Sequence, residues 1–167
     1  NDRVGGMAFG DPADGLKHFR PARGRRALWQ LLRTLTIPGS TQAASIDCLA
    51  EALKRATRGL PTGSLIFVIA DLNREARDLE PVLGNLRQRS SVVLIPVDDP
   101  ADQAIPAMGT VTFTGTDGRL IEVDTEDEGA RKAYQEAWQQ RRDTLSALAN
   151  RLNIIIMPIR TDQEIHA

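Results

Sequence analysis

The chain has 167 residues, of which 41% are hydrophobic, and a formal net charge of -1, which is enough for one domain with a single substantial core. The near-neutral balance argues against a chain built as a whole to bind nucleic acid or an anionic membrane, and no apolar run approaches the roughly 20 residues that cross a bilayer. Cys48 is the only cysteine, which excludes an intramolecular disulfide and a cysteine zinc site; its apolar neighbours at helical spacing mark it as a small core residue.

The chain opens on Asn1 without an initiator methionine, and a strand-like run, Arg3 to Phe9, follows within two residues. A start this tight is expected of a piece cut from a longer protein whose missing part lies upstream. Gly10 to Gly15 has turn composition and Leu16 to Pro21 can return as an edge strand, giving a border hairpin. Residues 23–35 carry Leu28, Leu31, Leu32 and Leu35 at helical spacing, and Ile37-Pro38-Gly39 stops the helix. His18, Arg20, Arg23, Arg25 and Arg26 at its basic end read as a solvated face, because no aromatic residues interleave with them as single-strand readers require.

A polar loop, 40–44, leads to a helix with Ile46, Leu49, Ala50, Leu53 and Ala56 on one face. After a turn at Pro61-Thr62-Gly63, the run Gly63 to Ala70 is free of charge and ends on Asp71. That pattern predicts a strand buried on both faces of a parallel sheet. Its carboxyl end is where ligands bind in open α/β sheets, so Asp71 is a candidate for chemistry as well as for a turn cap. A helix to about Arg89 follows, with Asp78 preferred over Asn73 as its cap and Pro81 expected in its first turn.

Ser91 to Val97 is a second buried strand ending in Asp98 and Asp99. Thr110 to Thr114 and Leu120 to Val123, joined through Asp117-Gly118, form a hairpin outside the main sheet. Thr125 and Glu128 form a capping box for a long helix with Tyr134, Ala137, Trp138, Leu145, Leu148 and Leu152 inward and Arg131, Lys132, Gln135, Gln139 and Arg142 in water. The last strand, Ile154 to Ile159, is interrupted by Pro158 and belongs at an edge. The alternation predicts one α/β domain over residues 1–167, doubly wound with a mainly parallel sheet, helices on both faces and a hairpin insertion.

No phosphate-binding G-x-x-x-x-G-K loop or G-x-S-x-G elbow is present, and His18 and His166 sit in a border hairpin and at the C-terminus, which leaves no base for a triad. What remains is an oxygen-rich crevice: Asp71 and Asp98, with Asp47, Thr41 or Ser45, offer the hard ligands that Mg²⁺ takes. A Mg-dependent phosphoryl-transfer or phosphohydrolase domain using Asp71, Asp98 and Asp99 is the enzymatic alternative, although no lysine accompanies the acids.

Asn1-Asp2-Arg3-Val4-Gly5, Phe9-Gly10-Asp11, Arg20-Pro21, Gly24-Arg25, Leu49 to Leu53, Gly63 to Asp71, Asp99-Pro100, Ile105-Pro106, Val123-Asp124-Thr125, Arg131, Tyr134 and Thr161-Asp162 follow in an order that resembles the C-terminal half of bacterial proteins named for the domain of unknown function 58. The resemblance implies a von Willebrand factor A-like fold lacking its first strand, and a cytoplasmic, non-enzymatic protein-interaction scaffold. Its implied partners are a MoxR-type AAA+ ATPase and client proteins in chaperone-like maturation; the charge balance and the lack of a spanning apolar run predict no nucleic acid and no membrane contact by this fragment. The resemblance further implies a metal-ion-dependent adhesion site that is incomplete here. Asp71 matches its late aspartate, Asp47 or Thr41 falls at its threonine, and the Asp-x-Ser-x-Ser segment lies upstream. Mg²⁺ would belong to the intact parent, and no cofactor is expected in this fragment. In the family's strand order the missing strand lies between Arg3 to Phe9 and Leu65 to Ala70. Its removal leaves unpaired backbone rows, so those strands are expected to pair directly or to meet a second copy through the exposed sheet edge.

Overall fold

The computed structural model describes residues 2–11, 15–36, 48–72, 76–114 and 119–164. They fall into two compact units, Asn1–Gly59 and Leu60–Ala167.

In the first unit, β1 (Val4–Asp11) pairs antiparallel with β2 (Gly15–Ala22), with Gly6 opposite Phe19 and Met7 opposite His18. α1 (Arg25–Leu35) lies against β1, and a Cβ on Gly6 would lie 2.8 Å from a methyl of Leu31, whose side chain would have to turn aside. The helix starts after Gly24, whose φ of 89° suits glycine. Leu28, Trp29, Leu32 and Leu35 are exposed, and the helix has no buried residue. By contrast, α2 (Cys48–Gly59) packs along β1 and β2 and buries Leu49, Ala52, Leu53 and Ala56, the face its spacing predicts.

The second unit is built on a parallel sheet in the order β3 (Leu65–Ala70), β4 (Ser91–Asp98), β7 (Ile155–Ile156), with β8 (Ile159–Arg160) also on β4. Each strand of the β3–β4 pair is matched residue for residue, Leu65 to Ser91 through Ala70 to Pro96. The fully enclosed strand is β4, where Val92, Val93, Leu94 and Pro96 are buried. This corrects the expectation for β3, which among the described residues has a neighbour on one side only. Its Leu65, Phe67 and Ile69 are exposed, while Val68 is buried. The strand expected beside it, Arg3 to Phe9, belongs to the first unit, where it pairs with β2. A hydrophobic run fits a buried central strand and a bare edge strand equally well, because its second neighbour is not encoded locally.

The helices α3 (Ala76–Arg87) and α5 (Glu128–Arg151) pack on each other and on β4 and β7. Their buried Leu79, Leu83, Leu86, Leu145 and Leu148 form the core with Leu94. Asp78 stands in the first turn of α3 and not at its cap, and Pro81 falls in the second turn. The acid still suits the positive end of the helix dipole there. The winding of helices on both sheet faces is not present among the described residues of this unit. Register and strand alternation put Leu65, Phe67, Ile69 and Ile155 on one face, and all four are exposed.

A short helix, α4 (Pro100–Gln103), follows β4 and packs on α5. The hairpin β5 (Thr110–Thr114) and β6 (Leu120–Asp124) forms its own two-stranded sheet, as expected; its turn, Asp117-Gly118, lies outside the described residues. The cap of α5 is Asp127, which accepts from the Gly129 N–H at 2.9 Å, and not Thr125. Thr125 is fully buried because its hydroxyl donates to Gly109 O at 2.7 Å and accepts from Met108 N–H at 2.8 Å, tying the loop before β5 to the end of β6. Asn153, in the left-handed region at φ 53°, closes α5, and Ile154 N–H reaches Ala149 O at 2.8 Å. Pro158 separates β7 from β8, dividing what reads as one strand.

Candidate functional site

The carboxyl edge of the parallel sheet gathers acids on three successive pieces of chain. Asp71 follows β3 and is exposed, Asp98 ends β4, Asp99 caps α4 through the Ala101 N–H at 2.9 Å, and Asp102 lies within α4. Proline at the first helical position and an Asp cap explain why the chain turns here into so short a helix. Partial burial raises the Asp102 carboxyl above its ordinary range, and the charges of Asp71 and Asp99 add to the effect. Asp102 thus feels the charges at both strand ends.

Asp98 and Asp99 are held by named protein groups. Asp98 accepts from the guanidinium of Arg142 on α5, and the two side chains are each only 12% exposed. Asp99 accepts from the Thr161 hydroxyl at 2.9 Å. Arg142 lies over the ring of Trp138, 5.4 Å from its centroid, one helical turn away. On β8, Arg160 holds Asp162 through two hydrogen bonds of 2.9 and 3.0 Å. That contact draws the Asp162 carboxyl below its ordinary range.

Beside this edge, between β4, β7 and α5, lies a cavity of about 330 Å³ whose wall includes Asp98, Asp99, Trp138, Arg142 and Arg160. Trp138 Nε1 and Arg142 Nε, in two of its wall residues, are buried and have no hydrogen-bond acceptor among the described residues. Each such group costs about 1–3 kcal/mol.

The structure therefore places Asp71 at the end of β3 and Asp98 and Asp99 at the end of the neighbouring β4. Asp47, together with Thr41 and Ser45, lies outside the described residues, as does His166. Among the described residues no three His, Cys, Asp or Glu side chains converge as metal ligands. The basic group at His18, Arg20, Arg23, Arg25 and Arg26 is exposed, consistent with a solvated face.

Sequence reasoning missed Arg142, which it placed in water, and the role of Arg131, whose guanidinium donates to Thr125 O. The signal for Arg142 was its i, i+4 relation to the inward Trp138. No helix among the described residues is long and apolar enough to cross a membrane.

The family model described as Protein of unknown function DUF58 matches residues 1–144. Neither a curated protein nor a solved structure matches the chain.

Proposed function

The chain belongs to the DUF58 family of proteins of unknown function, and from that premise we propose that it is a non-enzymatic, cytoplasmic protein-interaction module. Its proposed partner is a MoxR-type AAA+ ATPase, acting on a client protein in chaperone-like maturation. The observation that carries this reading is the edge of β3. Six residues, Leu65 to Ala70, present a strand edge without charge or proline, two of the devices that normally blunt such an edge. The face it shares with Ile155 is apolar and exposed, whereas parallel sheets are ordinarily covered on both sides. An edge of this kind takes an added strand through main-chain hydrogen bonds, with specificity from the alternate side chains.

A doubly wound, von Willebrand A-like sheet arises in this proposal when a strand lies along β3 and a layer covers Leu65, Phe67 and Ile69. Two copies meeting at the same edge would be the homodimeric form of that contact. Where a longer parent supplies further oxygen ligands, Asp71, at the carboxyl end of β3, stands among the carboxylates of a Mg²⁺ site. The engagement of Asp98 by Arg142 and of Asp99 by Thr161 favours interaction over the Mg-dependent phosphoryl-transfer alternative, which needs those acids for a cation or a water.

The test is co-purification of the full-length protein with a MoxR-type ATPase from the same organism. Capture by the wild type, its loss in Ile69→Lys and its retention in the exposed α5 control Lys132→Ala support the proposal. Capture indifferent to Ile69→Lys, or Mg-dependent hydrolysis of p-nitrophenyl phosphate abolished by Asp71→Ala, overturns it.

A further inference from the structure

We infer that the outward face of α1 is a docking surface for an acidic amphipathic helix of a partner protein. The least exposed residues of α1, Ala27, Leu31 and Thr34, share one side, and Leu31 reaches Gly6 on β1. The helical repeat puts Arg25, Trp29 and Arg33 on the opposite side, one turn apart, with Leu28, Leu32 and Leu35 beside them. All six are exposed, Trp29 at 70%. The leucines stand at i, i+4 and i+7, the stripe against which a second helix packs.

Charge chooses the occupant. Residues 15–46 include six Lys and Arg and no Asp or Glu. Arg20, Arg23, Arg25, Arg26 and Arg33 are exposed, and none of them pairs with a carboxylate among the described residues. The start of α1 also runs against the usual chemistry of a helix. Its first turn has no acid, Gly24 gives it no side-chain cap, and Arg25 and Arg26 stand at the positive end of the dipole. Carboxylates brought by a partner would meet the arginines and the uncapped turn together. Like charge excludes a second α1 as the occupant. Nucleic acid would use the arginines and leave the leucines in water. A membrane accepts Lys and Arg alike and takes in the most outward side chains, whereas that ridge holds Arg25 and Arg33 here. Arginine is the cation that binds carboxylates bidentately, and Trp and Arg are the residues on which protein interfaces concentrate their binding energy. The surface belongs to the first unit, and the inference does not rest on the edge of β3 or on an ATPase partner.

The experiment titrates the full chain with an acidic peptide helix about 14 residues long, carrying Leu at i, i+3, i+4 and i+7 and Glu between them, and follows tryptophan fluorescence. Trp29 is exposed and Trp138 buried, so covering α1 moves the emission to shorter wavelength through Trp29. A saturable blue shift, half-complete at about 10–100 μM, is expected, weakened about tenfold as salt rises from about 0.05 to 0.5 M and absent in Trp29→Phe. The same peptide with Lys for Glu, or with Ser for Leu, should give none. Arg25→Glu combined with Arg33→Glu, at two exposed positions, should abolish binding of the Glu peptide and create binding of the Lys peptide while the far-UV spectrum stays that of the parent. If that variant does not fold, Arg33→Gln decides, with an expected loss of about two- to fivefold in affinity. No saturable shift, an equal shift with the Lys peptide, a shift retained in Trp29→Phe, or undiminished affinity in the folded charge variant overturns the inference. Tighter binding to vesicles of equal phosphatidylglycerol and phosphatidylcholine, or to oligothymidylate, overturns it as well.

Discussion

Phe67 and Val93 are register partners in adjacent parallel strands and look out on the same face of the sheet, yet Phe67 is 56% exposed and Val93 6%. The difference is positional. Val93 is flanked on both sides, by Phe67 on β3 and Ile155 on β7, whereas among the described residues Phe67 has a neighbour on β4 alone. Full burial of a side chain of this size contributes roughly 1.5–3 kcal/mol, so the described sheet forgoes about half of that at each of Leu65, Phe67 and Ile69.

Ile69→Lys should therefore change stability by no more than about 0.5 kcal/mol, as surface substitutions do. Leu94→Ala, at the centre of the core, should cost about 2–5 kcal/mol. Urea unfolding of the two variants checks this, with light scattering expected to show less self-association for Ile69→Lys.

Asp98→Ala leaves the Arg142 guanidinium largely buried without its carboxylate and should cost about 3–5 kcal/mol. The double variant Asp98→Ala with Arg142→Met removes both charges and should recover most of that loss. A double-mutant cycle by chemical denaturation measures the difference; equal losses in the single and double variants would show that the pair is not the source.

How far could this edge be read beforehand? Asp71 and Asp98 at strand ends were legible because the apolar runs stop abruptly at a carboxylate. The hairpin at Thr110 to Asp124 and the buried stripe of α2 were legible too, since both depend on local periodicity. Arg142 was not, because whether a long cation on a helix reaches water or a carboxylate 44 residues earlier is decided by packing. Thr125 looked like a cap for a comparable reason: its spacing to Glu128 suits a capping box, but its hydroxyl is engaged at Gly109 and Met108.

Thr125→Val keeps the shape and removes both of those hydrogen bonds. It leaves the Met108 N–H without its acceptor, and a loss of about 1–3 kcal/mol is expected. Faster amide exchange at Met108 in the variant, measured by NMR, would locate the effect; unchanged exchange there would contradict it.

Asp102 gives a pH dependence with a definite sign. Its carboxyl is raised in the folded state, so the folded protein binds that proton more tightly than the unfolded chain. Its contribution is then most favourable below the ordinary carboxylate range and declines as pH rises through the raised value. Asp102→Asn should flatten this decline and raise stability near neutral pH by about 0.5 kcal/mol, a small effect because solvent screens the partly exposed group. Urea midpoints across the acid range provide the check, and a variant with the parent's pH slope would contradict the assignment.

Amide hydrogen exchange along residues 65–70, followed with and without a saturating MoxR-type ATPase, asks most directly whether the β3 edge is an interaction surface. The account predicts that the outward amides of β3 exchange quickly in the chain alone and slow by at least about tenfold in the complex, a change worth roughly 1.4 kcal/mol. Binding that leaves their exchange unchanged while protecting residues elsewhere would contradict it.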